Sequence, residues 1–334
     1  MLIDSYGRRI EHLRISLTEL CNFRCVYCVP GEGLCPSPSA LYLTREEIER
    51  FVRLAGELGI TRIRLTGGEP LLRQDILEIV RCLKGLPTVH DLSLTTNGSH
   101  LAPLAKPLKE AGLDRVNISL DSLNPWRFRE VASSPFYWKV IESVFAALGE
   151  GLKVKINVVA LRGLTREEIA AFAELAFLYP LEVRFLEFMP LCGTAWRPEL
   201  VLPIKNVRSA VKENVELLED DRPRLDQPAQ TFRIRGGKGK VGFIASLTES
   251  FCDQCSRIRL SADGRILPCL FSGEEVSVGD LLRRHAPDEE ILEAVREAVK
   301  RKPRGNRFRE RPFGLGEDGD LEVARNPLIR HIGG

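Results

Sequence analysis

Short strand-like runs alternate with helical stretches along the first two-thirds of the chain, and this alternation constrains the fold most strongly. Strands that alternate with helices favour βα units and a parallel sheet. Helical patterns lie near 44–58, 73–84, 102–111, 138–149 and 165–178. The six strand-like runs are 13–17, 62–66, 91–96, 115–120, 153–159 and 182–188.

The strand-like runs also alternate polar and apolar residues, whereas buried parallel strands usually read as continuous apolar runs. With helices on the outside, the polar residues would face a concavity, so we expect a curved sheet around a polar ligand. An antiparallel sheet with a solvated face is the alternative, which the intervening helices disfavour. Six βα units are two fewer than the full barrel of eight. The polar face includes Arg14, Ser16, Arg62, Arg64, Thr66, Ser93, Thr95, Asn97, Asn117, Ser119, Asp121, Lys153, Lys155, Asn157, Glu182 and Arg184.

The cysteine content indicates metal or redox chemistry. Nine cysteines in 334 residues is an odd number, which argues against a fully paired disulfide framework. The N-terminus has no signal-peptide pattern and no apolar run approaches 18 residues, so we expect a soluble cytoplasmic protein with no membrane segment. In that compartment thiols more often serve metal or redox sites than disulfides.

The net charge says little about function, but the basic residues are mostly arginine. A net charge of +2 gives no general case for nucleic-acid or membrane binding. Of the 48 basic residues, 36 are arginine, the bidentate partner of phosphate and carboxylate. The positions of the arginines therefore matter more than the total charge.

The pattern changes near 190–240, where proline, glycine and charged residues become frequent. We predict a core domain over 4–220 and a C-terminal α+β region over 221–334 that closes the barrel. That region contains a second cysteine group and a charged helix near 288–301.

The first cysteine motif directly follows the first strand. Cys21, Cys25 and Cys28 are spaced C-x3-C-x2-C. Three close thiolates favour an iron–sulfur cluster or zinc. Structural zinc usually takes four protein ligands, whereas a [4Fe–4S] cluster held by three cysteines has one iron open to another ligand. Zinc remains the alternative for this motif.

The second cysteine motif is C-x2-C-x13-C, formed by Cys252, Cys255 and Cys269. It again offers three thiols, so a second cluster with an open iron is the favoured interpretation. The alternative is half of a zinc ribbon completed by His285 or Cys192. Arg257 and Arg259 alternate on a strand-like segment beside it.

The first motif, with Tyr27 before its last cysteine, resembles the radical S-adenosylmethionine (SAM) superfamily. The resemblance implies a partial (β/α)6 TIM-like barrel, in agreement with the six units counted above. It also implies that the open iron binds SAM and that one electron cleaves it to methionine and a 5′-deoxyadenosyl radical.

Further matches lie at the ends of the predicted strands, where barrel sites are built. The sequence TGGEP at 66–70 could be only a tight turn, but it resembles the superfamily motif that meets the methionine amino group. Thr95, Ser119 and Met189 taken singly could be a turn, a helix cap and core; together they resemble contacts to ribose, carboxylate and adenine. The resemblance assigns SAM binding to Tyr27, Gly68, Ser119 and Met189.

Over nearly the whole chain, including Gly333 and Gly334, the sequence resembles one radical SAM family, the GTP 3′,8-cyclases (molybdenum cofactor biosynthesis protein A). The resemblance implies two [4Fe–4S] clusters, the second of which binds the guanine of GTP. Arg14 and Lys155 would otherwise be buried and unpaired, which is costly; internal salt bridges to Asp121, Glu182 or Glu187 are the alternative. The resemblance assigns GTP binding to Arg14, Arg64, Thr95, Lys155, Arg257, Ile258 and Arg259.

The implied reaction removes hydrogen from C3′ of GTP and closes C3′ onto C8, the first step of molybdenum cofactor biosynthesis. The implied partners are GTP, a reductant protein such as flavodoxin or ferredoxin, and the cyclic pyranopterin monophosphate synthase that receives the product; a homodimer is a further expectation. Two alternatives remain open: a radical SAM peptide maturase with one auxiliary cluster, and a non-catalytic zinc or iron–sulfur module.

Some residues depart from the family pattern or have no assigned role. Ser256 stands where we expect asparagine, and Cys192 lies near the expected site as a further potential ligand. Cys82 is expected in the core and Cys35 in an exposed loop.

Overall fold

The structure is a computed structural model that describes residues 1–28, 42–191, 194, 196–219 and 228–305. Cys35, Cys192, the 220/221 boundary and the Gly333–Gly334 pair lie outside the described residues. Among the described residues, no helix is both long and apolar enough to cross a membrane.

All six predicted strands are present, with bounds within one residue of the prediction at each end. The first part of the chain runs β1 His12–Ser16, α1 Arg45–Glu57, β2 Arg62–Thr66, α2 Ile76–Gly85, β3 Asp91–Thr96, α3 Leu101–Glu110, β4 Arg115–Ser119, α4 Pro125–Ala132, α5 Tyr137–Gly149, β5 Lys153–Ala160, α6 Arg166–Leu178 and β6 Glu182–Glu187.

Helix α4 was not predicted. Its N-terminus is set by Asn124, whose side-chain oxygen accepts from the backbone N–H groups of Trp126 and Arg127, and by Pro125 at the first helical position. Helix α2 begins three residues later than predicted, because Arg73 has an extended backbone where a 3-10 turn over Pro70–Leu72 ends.

The C-terminal part adds strands to both edges of the same sheet. It runs α7 Ile204–Lys212, β7 Leu217–Glu219, β8 Gln230–Ile234, β9 Lys240–Ile244, β10 Arg257–Leu260, β11 Arg265–Leu267, β12 Val276–Ser277, α8 Gly279–Arg283 and α9 Asp288–Lys300. The strand order is β12-β11-β10-β1-β2-β3-β4-β5-β6-β9-β8-β7.

The predicted α/β class with a parallel sheet is confirmed. Strands β1 to β6 are all parallel to their neighbours, and β10 and β9 join them in parallel at β1 and β6. The outward apolar residues, such as Leu13 and Ile15 of β1, are buried in one core with the covering helices. The alternate residues, such as Arg14, occupy the opposite face of the strands.

Candidate active site

The first cysteine motif lies in the loop that directly follows β1. Cys21, Cys25 and Cys28 are all free thiols and partly buried. The Phe23 amide donates to the Cys21 sulfur at 3.4 Å. Burial, and then the negative charge of Asp121, raises the pKa of the Cys25 thiol well above its ordinary value. Such thiols ionise when a metal centre supplies positive charge, so the donor set fits an iron–sulfur cluster.

Helix α4 fixes the conformation of this cysteine loop. The amide of Val26 donates to the carbonyl of Val131 at 2.9 Å, and the amide of Arg24 donates to that of Ala132 at 3.3 Å. The ring of Phe23 packs edge-on against Phe128, with centroids 6.0 Å apart. The unpredicted helix therefore holds the segment that contains the three thiols.

Tyr27 ties the same loop to the ends of β4 and β5. Its hydroxyl donates to Asp121 Oδ2 at 2.7 Å, and Asp121 Oδ1 accepts from the amide of Val159 at 2.8 Å. Burial raises the pKa of Asp121 to about 6. Ser119, at the end of β4, lies in register with Asn157, and Met189 lies just beyond β6, partly buried. The four residues predicted to contact SAM thus all lie at the carboxyl ends of strands or in loops that follow them.

The glycine turn at 66–70 is shaped by contact with the chain's own backbone. A Cβ on Gly68 would lie 2.2 Å from the carbonyl oxygen of Leu20, and one on Gly67, whose φ is +145°, would lie 2.4 Å from that of Thr18. The amide of Gly68 donates to the Thr18 carbonyl at 2.7 Å. The paired glycines therefore allow the turn to pack against the residues that lead into Cys21.

Glu69 of the same turn organises a buried network that sequence reasoning missed. Its Oε1 accepts from the Thr96 hydroxyl at 2.7 Å and the Leu71 amide at 3.0 Å, and its Oε2 accepts from the Asn97 amide at 2.6 Å. Asn97 in turn donates to the side chain of Asn22 at 2.8 Å, inside the cysteine loop. Burial raises the pKa of Glu69 to about 7.

We predict that Glu69→Ala lowers the free energy of unfolding by about 2–5 kcal/mol at pH 5, because it removes the acceptor of two buried backbone donors. The raised pKa means that the folded state retains the Glu69 proton after the unfolded state has lost it. The contribution of Glu69 to wild-type stability should therefore fall as the pH rises from about 4.5 through 7, and the penalty of Glu69→Ala should shrink.

Chemical denaturation at pH 5 and pH 8 measures both effects. Glu78→Ala, at an exposed position of α2, is the matched control. An unfolding free energy of Glu69→Ala equal to that of the control at pH 5 would contradict the role of this network.

Arginines from three neighbouring strands form a basic row on the inner face of the sheet. Arg14 of β1 lies in register with Arg64 of β2 and Arg259 of β10. Two residues earlier on β10, Arg257 lies in register with His12 of β1. Burial, followed by the charges of Arg259 and Arg64, lowers the pKa of Arg14 well below its ordinary value. Burial also lowers the pKa of Arg64 to about 9 and that of Arg259 to about 10. Like charges buried together favour an anionic ligand.

A second row crosses β3 to β6, where Thr95, Asn117, Lys155 and Glu182 lie in register. Lys155 Nζ lies 2.6 Å from Glu182 Oε2, and Arg184 pairs with the same carboxylate. Burial, and then the charge of Arg184, lowers the pKa of Lys155 to about 7. Arg184 and Lys155 outweigh burial and lower the pKa of Glu182 to about 2.

The expectation that Lys155 lacks a protein partner was therefore wrong, and the internal salt bridge to Glu182 is present. The other two carboxylates behave differently. Asp121 accepts from Tyr27 and Val159, and Glu187 accepts from the Leu247 amide at 2.8 Å and from Thr248.

The second cysteine motif adjoins the basic row. Cys252 opens a short turn that ends at Cys255, and Cys269 follows β11. Arg257 and Lys302 outweigh burial and lower the pKa of Cys255 to about 6, whereas burial raises the pKa of Cys269. The guanidinium of Arg257 donates to the Cys255 sulfur at 3.7 Å, so the second motif lies beside one of the predicted triphosphate contacts.

The structure restricts the predicted role of Ile258 as a GTP contact. Ile258 is fully buried in register with Leu13, so its side chain belongs to the core and only its backbone is available to a ligand.

Within the described ranges, no three cysteine, histidine or acidic side chains surround a single metal position. His285, the potential zinc ligand, lies in the turn between α8 and α9 with a φ of 51°.

Comparison with known proteins agrees with this geometry. The Radical SAM superfamily model matches residues 15–176, and the Molybdenum Cofactor Synthesis C model matches residues 181–308. The structure of Streptococcus suis SuiB bound to its precursor peptide SuiA superposes with a TM-score of 0.62 at 15% identity, over 96% of this chain and 76% of that one. This likeness shows the fold alone.

Fold and matched motifs together define a radical SAM enzyme. A GTP 3′,8-cyclase from Syntrophomonas wolfei is 41% identical over 90% of this chain and 93% of its own length, and one from Pelotomaculum thermopropionicum is 42% identical over 90% and 93%. The chain belongs to the GTP 3′,8-cyclase family, whose radical SAM membership implies an iron–sulfur cluster and SAM. Mouse molybdenum cofactor biosynthesis protein 1 is 43% identical, and the chain spans about half of its length, 48%.

Proposed function

We propose that this chain converts GTP into 3′,8-cyclo-7,8-dihydro-GTP, in the 8S configuration, as the first step of molybdenum cofactor biosynthesis. The observation that carries the proposal is the row formed by Arg14, Arg64 and Arg259, of which Arg259 is buried and the other two are partly buried. This row has the charge that a triphosphate needs. A triphosphate carries about four negative charges, and guanidinium groups bind phosphate oxygens in bidentate pairs.

Cys21, Cys25 and Cys28 would hold the first [4Fe–4S] cluster, with Tyr27, Gly68, Ser119 and Met189 around SAM. The bound cluster and SAM together supply the radical that starts the cyclisation. The chain's own contribution is to fix the geometry: α4, Tyr27 and Glu69 hold the cysteine loop against the ends of β2 to β5. Positioning of this kind can supply much of a rate enhancement.

Arg14, Arg64, Arg257 and Arg259 would bind the triphosphate, with Thr95 and Lys155 and the backbone of Ile258 on the neighbouring strands. The sequence analysis placed Arg184 on the polar face of β6 but assigned it no role. Arg184 shares Glu182 with Lys155 and is, after burial, the largest cause of the lowered pKa of that proposed substrate contact.

Cys252, Cys255 and Cys269 would hold a second [4Fe–4S] cluster with one iron open to the guanine. The lowered pKa of Cys255 and the adjoining arginines support this assignment. We further propose the domain division 4–220 and 221–334, a cytoplasmic location, a flavodoxin or ferredoxin reductant, transfer of product to the cyclic pyranopterin monophosphate synthase, and a homodimer.

An anaerobic assay with SAM, reductant and a panel of nucleotides tests the substrate. GTP should give the cyclised product, whereas ATP and guanosine should not. A peptide maturase, the alternative that the sequence analysis leaves open, would form 5′-deoxyadenosine without GTP, and that result would contradict the proposal.

The pH dependence of GTP binding should report Lys155. Because its pKa is lowered to about 7, Lys155 loses its proton as the pH rises from 7 to 9, and the attraction to phosphate is lost with it. Lys155→Arg stays charged over this range. We expect the ratio of the wild-type Kd to the Lys155→Arg Kd to rise by up to tenfold per pH unit above pH 7.

Calorimetric titration of GTP into both proteins gives this ratio, and titration of the phosphate itself cancels in it. A ratio that is constant from pH 6 to pH 9 would show that Lys155 does not contact the substrate.

A further inference from the structure

Lys302 is a buried cation that the proposed reaction leaves without a role. It lies two residues after the end of α9 and is 3% exposed. Within the described part of the chain, its ammonium pairs with no carboxylate. Burying an uncompensated charge costs free energy, so something at this position should supply negative charge.

The ammonium of Lys302 spans the two halves of the second cysteine motif. Its Nζ donates to the carbonyl of Arg257 at 2.7 Å and to the carbonyl of Pro268 at 2.6 Å. Arg257 follows Cys255 by two residues, and Pro268 directly precedes Cys269. One side chain therefore fixes the distance between segments that the sequence separates by more than ten residues.

Arg8 completes the same arrangement from the N-terminal side. Its guanidinium donates to the carbonyl of Cys252 at 2.8 Å, to that of Pro303 at 2.6 Å and to that of Arg304 at 2.8 Å. Unlike Lys302, Arg8 has a carboxylate partner, Asp4, at 2.6 Å. Arg8 and Lys302 together bind the backbone beside each of the three cysteines to the segment 302–304.

We infer that Lys302 is a positioning residue for the second cluster: its charge is balanced by the cysteine thiolates and the cluster they hold, and its hydrogen bonds set their spacing. The inference rests on the proposed function, because it assumes that these three cysteines hold a cluster. A fixed positive charge in a poorly hydrated site stabilises the more negative, reduced form of a cluster.

The test compares Lys302→Met with Lys302→Arg and with the control Lys300→Met, which alters an exposed side chain at the last residue of α9. Each protein is reconstituted anaerobically and its iron and sulfide are measured. The second cluster's signal is then followed by electron paramagnetic resonance during a redox titration.

We expect one of two results for Lys302→Met. Either it binds about half the iron of the wild type, or it retains the second cluster and the ratio of reduced to oxidised cluster at a fixed potential falls at least tenfold. A tenfold change in that ratio is equivalent to about 59 mV for one electron. Lys302→Arg should retain most of the wild-type iron content and reduction potential, since it keeps the charge. Lys300→Met should match the wild type in both.

Wild-type iron content and potential in Lys302→Met would overturn the inference while the proposed function stands. Equal defects in Lys302→Arg and Lys302→Met would overturn the role of the charge. Loss of all iron in Lys302→Met would show a general folding defect and overturn the local role. A wild-type chain with only about four irons would instead refute the second cluster itself.

Discussion

Replacement of Cys255 by serine should lower the iron content from about eight to about four atoms per chain and abolish cyclisation of GTP. The chain should still bind SAM, because the first cysteine motif is held by α4, Tyr27 and Glu69, none of which contacts Cys255. The two cysteine motifs are built from separate segments, so we expect their losses to be separable.

Two further variants complete this comparison. Cys25→Ser should lose the other half of the iron and all 5′-deoxyadenosine formation. Cys82→Ser, which alters a half-buried cysteine of α2, is the control and should keep the wild-type iron content. Iron and sulfide analysis with a SAM-binding measurement distinguishes them. Loss of all iron in Cys255→Ser, or of none, would contradict the assignment of two independent sites.

Replacement of Arg14 by methionine should have opposite effects on stability and on binding. Arg14 is partly buried beside Arg64, Arg257 and Arg259, so its removal relieves repulsion and desolvation. Replacing a buried ion pair by apolar side chains is often neutral or stabilises a protein by about 1–4 kcal/mol. Removal of Arg14, which lies among like charges, should stabilise the chain by a comparable amount. Loss of a buried charged contact to a ligand costs about 2–5 kcal/mol, which is at least a 30-fold weaker Kd for GTP.

Thermal denaturation of the reconstituted chain without nucleotide and titration with GTP measure the two effects. Arg53→Met, at an exposed position of α1, is the control and should change neither. An Arg14→Met variant that is less stable than the wild type and binds GTP normally would show that Arg14 is a structural residue.

Local patterns were sufficient to predict the framework. The alternation of polar and apolar residues placed Arg14, Arg64 and Lys155 on one face. The register pairs Arg14 with Arg64 in one row and places Lys155 beside Asn117 in the second row. The strand ends were predictable for the same reason, since each βα unit is encoded within a short stretch of sequence.

Contacts between distant segments were not predictable. Glu69 reaches Asn97, 28 residues away, and Lys302 reaches Arg257, 45 residues away. The pairing of Lys155 with Glu182 was only one of several possible salt bridges until the register of β5 and β6 was known. Such partners depend on how the elements pack, which a single sequence does not encode locally.

The most direct test of the proposed activity uses GTP deuterated at C3′ in an anaerobic reaction with SAM and a reductant. We predict that 5′-deoxyadenosine forms only when GTP is present and gains one mass unit from the labelled position. Unlabelled 5′-deoxyadenosine, or its formation at the same rate without GTP, would contradict the proposed cyclisation of GTP.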